Sequence, residues 1–162
     1  MADMTAQPVP QPIPSALLSS PSFQFERLRR KTRSEVESQL SKTGYTLREY
    51  WVMACLIEAN AASQSCLSDV LGIDASDMVR LIDILEQRGW ARRDRDPNDR
   101  RRQVVSATIK GRRATADLAR NVSAAEAQAL RNADDDQLTN LCQLVTLILS
   151  PENHEAEGEA TA

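Results

Sequence analysis

Between Ser63 and Ile109 the residues leave little choice of fold. Ser63 is a good N-cap for a short helix ending at Leu71, Gly72 supplies a turn, and Asp74 can cap a second helix from Ala75 to Arg88. Leu67, Val70 and Leu71 give the first of these one small apolar face. In the second, Met78, Val79, Ile82, Leu85 and Glu86 recur at spacings of three and four, and all but Glu86 are apolar. Two short helices joined by a tight glycine turn are the sequence form of a helix-turn-helix. Gly89 stops the second helix. Trp90 to Arg93 then reads as a strand, Asp94 to Arg102 as a polar loop around Asp96, Pro97, Asn98 and Asp99, and Gln103 to Ile109 as the return strand, with Val104 and Val105 β-branched. A hairpin placed directly after a helix-turn-helix is a wing.

The flanks are helical. Ser22 follows Pro21 and is the expected cap of a helix to about Thr43, in which Phe25, Leu28, Thr32, Val36 and Leu40 form a sparse stripe suited to packing on another long helix; Gly44 ends it. Leu47 to Ala59 is nearly apolar around Trp51, Val52, Ala54, Cys55, Leu56 and Ile57, which predicts the buried centre of the domain. Lys110 to about Arg131 is Ala-rich and helical. Asp134 to Asp136 favour a helix start, and the helix they open runs to Leu149, where Ser150 and Pro151 stop it. Its residues Leu138, Leu141, Cys142, Leu144, Val145, Leu147, Ile148 and Leu149 wrap more than half of its circumference, too much for a helix buried on one side only, so a second chain is expected to cover the rest. Met1 to Pro21, with Pro8, Pro10, Pro12, Pro14 and Pro21, reads as an extended, disordered tail, and residues 150–162 as a disordered acidic one.

The net charge of −3 argues against a nucleic-acid partner until its distribution is read. Arg88, Arg92, Arg93, Arg95, Arg100, Arg101, Arg102, Lys110, Arg112 and Arg113 are half of the chain's 20 basic residues, opposed in that stretch only by Asp94, Asp96 and Asp99. Phosphates respond to charge within a Debye length, not to the whole-chain sum. From charge alone, a solvated loop and a phosphate-facing patch are equally compatible. Cys55, Cys66 and Cys142 have no CxxC spacing and imply neither a disulfide framework nor zinc. Absence of a signal peptide pattern and of any apolar run of membrane-spanning length predicts a soluble, cytoplasmic protein. The single histidine, His154, lies in the acidic tail; with no Ser-His-Asp set, metal-ligand cluster or phosphate loop, neither an enzyme nor a cofactor is expected.

The stretch from Leu67 to Arg113 resembles the MarR family closely. It carries LGID at Leu71 to Asp74, LEQRG at Leu85 to Gly89, DPNDRR at Asp96 to Arg101 and ATIKG at Ala107 to Gly111, and the resemblance extends over about Phe23 to Leu149. It implies a mainly α fold with a small β-hairpin wing: a winged helix-turn-helix core at about 47–110, inside a 22–149 domain whose helices 22–43 and 110–149 make a homodimer. There are departures. Ala107 stands where the family usually has Leu, Cys66 where an acidic residue is common, and Asp77 places an acid on the presumed recognition helix.

The implied partner is double-stranded DNA with a near-palindromic operator, its half-sites about one helical turn apart. With Val79, Ile82 and Leu85 facing inward, the outward set on the second helix is Ala75, Ser76, Asp77 and Arg80. Ser76 can bond phosphate or a base edge, and Arg80 can take guanine by a bidentate pair. Asp77 can accept from cytosine N4 or share the helix cap with Asp74. Ser63 and Gln64, opening the preceding helix, suit a phosphate contact. In the wing, Arg100, Arg101 and Arg102 cannot all point one way; the resemblance implies that Asp99 holds Arg101 extended toward the minor groove. Asp83 is expected to pair with Arg92 or Arg93 and so lock the helix to the wing.

Regulators of this family are commonly repressors released by small aromatic molecules or by thiol oxidation. Tyr45, Arg48, Tyr50, Trp51 and Met53 are the candidate pocket residues, although Trp51 and Met53 suit the core better. Cys66, near a helix N-terminus, is the candidate redox residue; the early cysteine of the family's peroxide-sensing branch is absent. A winged-helix protein-interaction module without DNA binding is the remaining alternative, and the Arg-rich wing argues against it.

Overall fold

The computed structural model describes residues 12–96 and 103–150. In chain order these form α1 (Ser15–Leu18), α2 (Pro21–Ser41), α3 (Leu47–Glu58), α4 (Gln64–Leu71), α5 (Ala75–Gln87), β1 (Ala91–Arg95), β2 (Gln103–Ala107), α6 (Ile109–Ala129) and α7 (Asp135–Leu149). They divide into two compact units, one ending at Ala129 and one beginning at Leu130.

The first unit is built on α3, whose Val52, Met53 and Leu56 are fully buried among Leu40 of α2, Leu67 of α4, Met78, Ile82 and Leu85 of α5, Val105 of β2, and Leu118 and Val122 of α6. Thr46 and Glu49 cap α3 reciprocally: each side chain takes the other's backbone N–H. The sparse stripe of α2 packs chiefly on α6, as its spacing predicts, with Val36 and Leu40 buried and Phe25 exposed.

Two readings at the N-terminal end need correction. The stretch assigned to a disordered tail contains the single helical turn α1, because Pro14 precedes the turn and needs only its carbonyl, which accepts from the N–H groups of Leu17 and Leu18. The helix α2 is flanked by Ser20, not Ser22, at its N-cap, and Pro21 occupies its first position, where a missing N–H costs nothing.

The strands pair antiparallel with Ala91 opposite Ala107 and Arg93 opposite Val105. A third segment joins them. Ala62, between α3 and α4, exchanges two backbone hydrogen bonds with Val105, at 3.0 and 2.8 Å, and ties the hairpin to the start of α4. The TIKG segment closes the other side. Thr108 donates through Oγ1 to the Gly89 carbonyl at 2.8 Å and accepts from Gly111 N–H at 3.0 Å, capping α6. Gly111 is required there: a Cβ would stand 2.1 Å from the Trp90 carbonyl oxygen.

In the second unit, Asp134 and Gln137 form a capping box on α7, and Ser150 ends the helix in extended backbone, as the following proline demands. None of the residues of α7 is buried in the protomer; Leu144, Leu147, Ile148 and Leu149 are 57–75% exposed.

Candidate nucleic-acid interface

The α4 and α5 helices are held as the sequence predicts. The Ser63 side chain accepts from Cys66 N–H at 3.2 Å, Gly72 takes the left-handed conformation at φ +59°, and the Asp74 carboxylate accepts from the N–H and the Oγ–H of Ser76 at 2.8 and 2.6 Å. Hydroxyl donation first, then the backbone N–H, holds the Asp74 carboxyl below the ordinary aspartate value.

The rotation of α5 differs from expectation at one position. Met78, Leu81, Ile82 and Leu85 face the core, while Val79 is turned outward and 40% exposed. Leu81 takes the inward place because it lies on the helix face shared by Met78 and Leu85; Val79 sits about 100° from Met78. The outward arc therefore carries Ala75, Ser76, Val79 and Arg80, all exposed.

Asp77 does not share the cap with Asp74. Its carboxylate lies 3.4 Å from Arg48 Nη1 of α3 and 3.7 Å from Arg80 Nη1, so the acid on the presumed recognition helix is compensated from its flank. Gln64 also departs from its expected phosphate-facing role. With its amide oxygen turned inward, it accepts from Nε and Nη2 of Arg93, both at 3.0 Å.

Arg93 is the joint between wing and helix-turn-helix. Its Nη1 donates to Asp83 at 2.7 Å and also meets the Glu86 carboxylate, whose second oxygen accepts the Arg93 backbone N–H at 2.8 Å. One guanidinium on β1 thus binds side chains from α4 and α5. On the opposite strand face, Arg92 pairs with Asp94 at 2.8 Å, with the Ser106 hydroxyl between them.

The basic run accordingly divides. Arg88, Arg93, Lys110 and Arg112 serve the fold. Arg88 reaches the buried Glu49 at 3.2 Å and the Gly44 carbonyl at 3.0 Å and lies over the Tyr45 ring; Lys110 donates to the Arg88 carbonyl; Arg112 caps the end of α3 through Ile57 O and Asn60 Oδ1. Arg92, Arg95 and Arg113 are exposed. The wing-tip residues Asp99, Arg100, Arg101 and Arg102 lie outside the described residues.

The candidate ligand residues have separate surroundings. Tyr45 stacks obliquely on Trp90, with ring centroids 4.5 Å apart, beneath Arg88. Arg48 is engaged with Asp77, Tyr50 packs against the core, Met53 is fully buried, and Trp51 is exposed. Cys66 is exposed; Cys55 is half-buried, and burial pushes its thiol up. Among the described residues no group of three or more His, Cys, Asp or Glu can hold a metal, and no helix is long and apolar enough to cross a membrane.

Residues 45–102 match the model of the MarR family. The structure of CouR from Rhodococcus jostii RHA1, bound to p-coumaroyl-CoA, is similar at a TM-score of 0.75 and 30% identity, over 85% of this chain and 97% of that one. A MarR-family transcriptional regulator from Rhodococcus sp. RHA1 is similar at a TM-score of 0.73 and 30% identity, over 78% of this chain and 90% of that one. The chain belongs to the MarR family. Members of that family are winged-helix transcriptional regulators, not enzymes. An uncharacterized HTH-type transcriptional regulator of Bacillus subtilis (strain 168), YcgE, is 30% identical over 83 residues, which is 51% of this chain and 54% of that protein, about half its length.

Of the two arginines expected to pair with Asp83, Arg93 is the one that does so and joins helix to wing; sequence reading missed its contacts with Glu86 and Gln64, Val79 as an outward residue and Glu49 as a buried carboxylate. The Thr46-x-x-Glu49 spacing was a usable signal for the last, since it is the capping-box pattern.

Proposed function

We propose that this regulator binds duplex DNA as a homodimer, in the cytoplasm, and represses transcription until a small ligand releases it. The observation that carries this reading is the mounting of α5. Its inner face is buried, its flanks are held by Arg48 and Arg93, and the arc of Ala75, Ser76, Val79 and Arg80 is left clear for a major groove. The exposed apolar residues of α7 supply the surface a second copy would cover. Two such copies present two recognition helices and read a near-palindromic operator. The family resemblance adds Arg101 of the wing as the minor-groove contact.

An aromatic acid or its CoA thioester is the ligand class favoured, by likeness to the regulator that binds p-coumaroyl-CoA. Selection of bound fragments from genomic DNA, followed by footprinting, tests the DNA reading; two protected half-sites about one turn apart are expected. Arg101→Ala is expected to weaken operator binding by about 1–3 kcal/mol. Titration of p-coumaroyl-CoA into the complex is expected to release the DNA. A single isolated half-site, or no specific site, would overturn the reading.

A further inference from the structure

The outward arc of α5 carries two parallel rows, each one helical turn long. Ala75 and Val79 make an apolar row; Ser76 and Arg80 make a polar row beside it. Val79 is unusual there. A β-branched residue is a poor choice for an exposed helix position, and Val79 remains 40% exposed. Its direction is not adjustable, because Met78, Leu81, Ile82 and Leu85 are anchored in the core. Arg80, by contrast, is 77% exposed and pairs loosely with Asp77 of its own helix, at 3.7 Å. Asp77 is taken up by Arg48 and does not compete for a base.

We infer that Val79 determines sequence specificity by packing on the C5-methyl of a thymine, on the base pair neighbouring a guanine read by Arg80. The chemistry follows from what the major groove displays. Thymine alone offers a methyl group there, which an apolar side chain recognises, and guanine O6 and N7 accept a bidentate guanidinium. Val79 lies on the margin of α5 nearer Glu86, toward the wing; Arg80 lies on the margin nearer Arg48. The two side chains diverge and address different base pairs. This inference rests on the DNA-binding reading and refines it by assigning a base to a residue.

The test replaces each thymine of the footprinted operator in turn with deoxyuridine, which lacks only the methyl. Wild-type full-length protein is expected to lose affinity about fourfold per half-site at one thymine, the discrimination that burial of one methyl supports. Val79→Ala is expected to bind thymine and deoxyuridine operators equally. Ile84→Ala, which truncates another exposed apolar residue of α5, is expected to keep the wild-type difference. Circular dichroism checks that both variants are folded; if Val79→Ala is not, Val79→Ser takes its place. The inference is overturned if no thymine is sensitive or if the Val79 variant keeps the preference. A protein that footprints its operator yet ignores the methyl defeats this inference alone, whereas one with no footprint defeats the DNA-binding reading as well.

Discussion

Replacing Arg93 with methionine keeps the length and apolar stem of the side chain and removes the guanidinium that joins β1 to α4 and α5. The cost follows from what each partner loses. Asp83 is about half exposed, so its carboxylate rehydrates, and that pair is worth about 0.5 kcal/mol. Glu86 is 32% exposed and keeps the Arg93 backbone N–H, which softens its loss. A charge-assisted hydrogen bond of this kind contributes about 1.5–3 kcal/mol net, and the solvent access of Glu86 places it at the lower end. Gln64 adds a few tenths of a kcal/mol at its half-exposed position. Together Arg93→Met is expected to cost about 2 kcal/mol, below the 3–5 kcal/mol of a fully buried pair. For a chain of this size that lowers Tm by about 4–8 °C. The assay is urea denaturation at matched protein concentration, since the proposed dimerisation would contribute to apparent stability. A double-mutant cycle with Glu86→Gln isolates the pair, with an expected coupling of about 1 kcal/mol. Arg93→Lys should recover only part of the loss, because one ammonium cannot reproduce the guanidinium fork. An Arg93→Met protein within 0.5 kcal/mol of wild type would refute the idea that this residue locks the wing.

Gly111→Ala inverts the usual helix preference. Alanine in an open helix gains about 1 kcal/mol over glycine, but here the new Cβ meets the Trp90 carbonyl at 2.1 Å and Met53 Cε at 2.8 Å, so a loss of about 3 kcal/mol is expected by denaturation, and any gain would contradict the close approach. The lowered pKa of Asp74 fixes the sign of its pH effect: the α5 cap is intact above the ordinary aspartate value and is lost only as pH falls through the lower folded value. An NMR titration of the Asp74 carboxyl should show a midpoint below that ordinary value, and one at or above it would count against the cap. With iodoacetamide, exposed Cys66 is expected to react well before Cys55, whose thiol is raised by burial, while Cys142 on α7 should be protected at high protein concentration and become reactive on dilution. Equal rates for Cys142 and Cys66 in concentrated protein would remove α7 from the dimer contact.

The order of elements from α4 to α7 was legible because punctuation in this stretch is chemical. Gly72 and Gly89 take positive φ, Asp74 and Asp134 accept backbone N–H groups, and alternation around Val105 marks the return strand. Individual side-chain roles were less legible. Periodicity places a helical face to within a residue, and at that margin Val79 and Leu81 exchanged places. A run of arginines in sequence does not distinguish those that bind carbonyls and carboxylates of distant elements, such as Arg88 and Arg112, from those left on the surface, such as Arg95. That division depends on contacts more than 30 residues apart in the chain, from Arg88 to Glu49 and from Arg112 to Ile57. The Ala62 bridge to Val105 escaped notice for the same reason, since a single bridge has no periodicity to reveal it.

The most direct test is an equilibrium titration of the full-length protein against a labelled operator duplex, from about 50 to 200 mM salt, with the mass of the complex measured in parallel. Two protomers per duplex are expected, with log K falling linearly and steeply against log salt as exposed wing and helix cations displace counterions. A protein that stays monomeric and leaves the duplex unbound at the lowest salt would contradict the account.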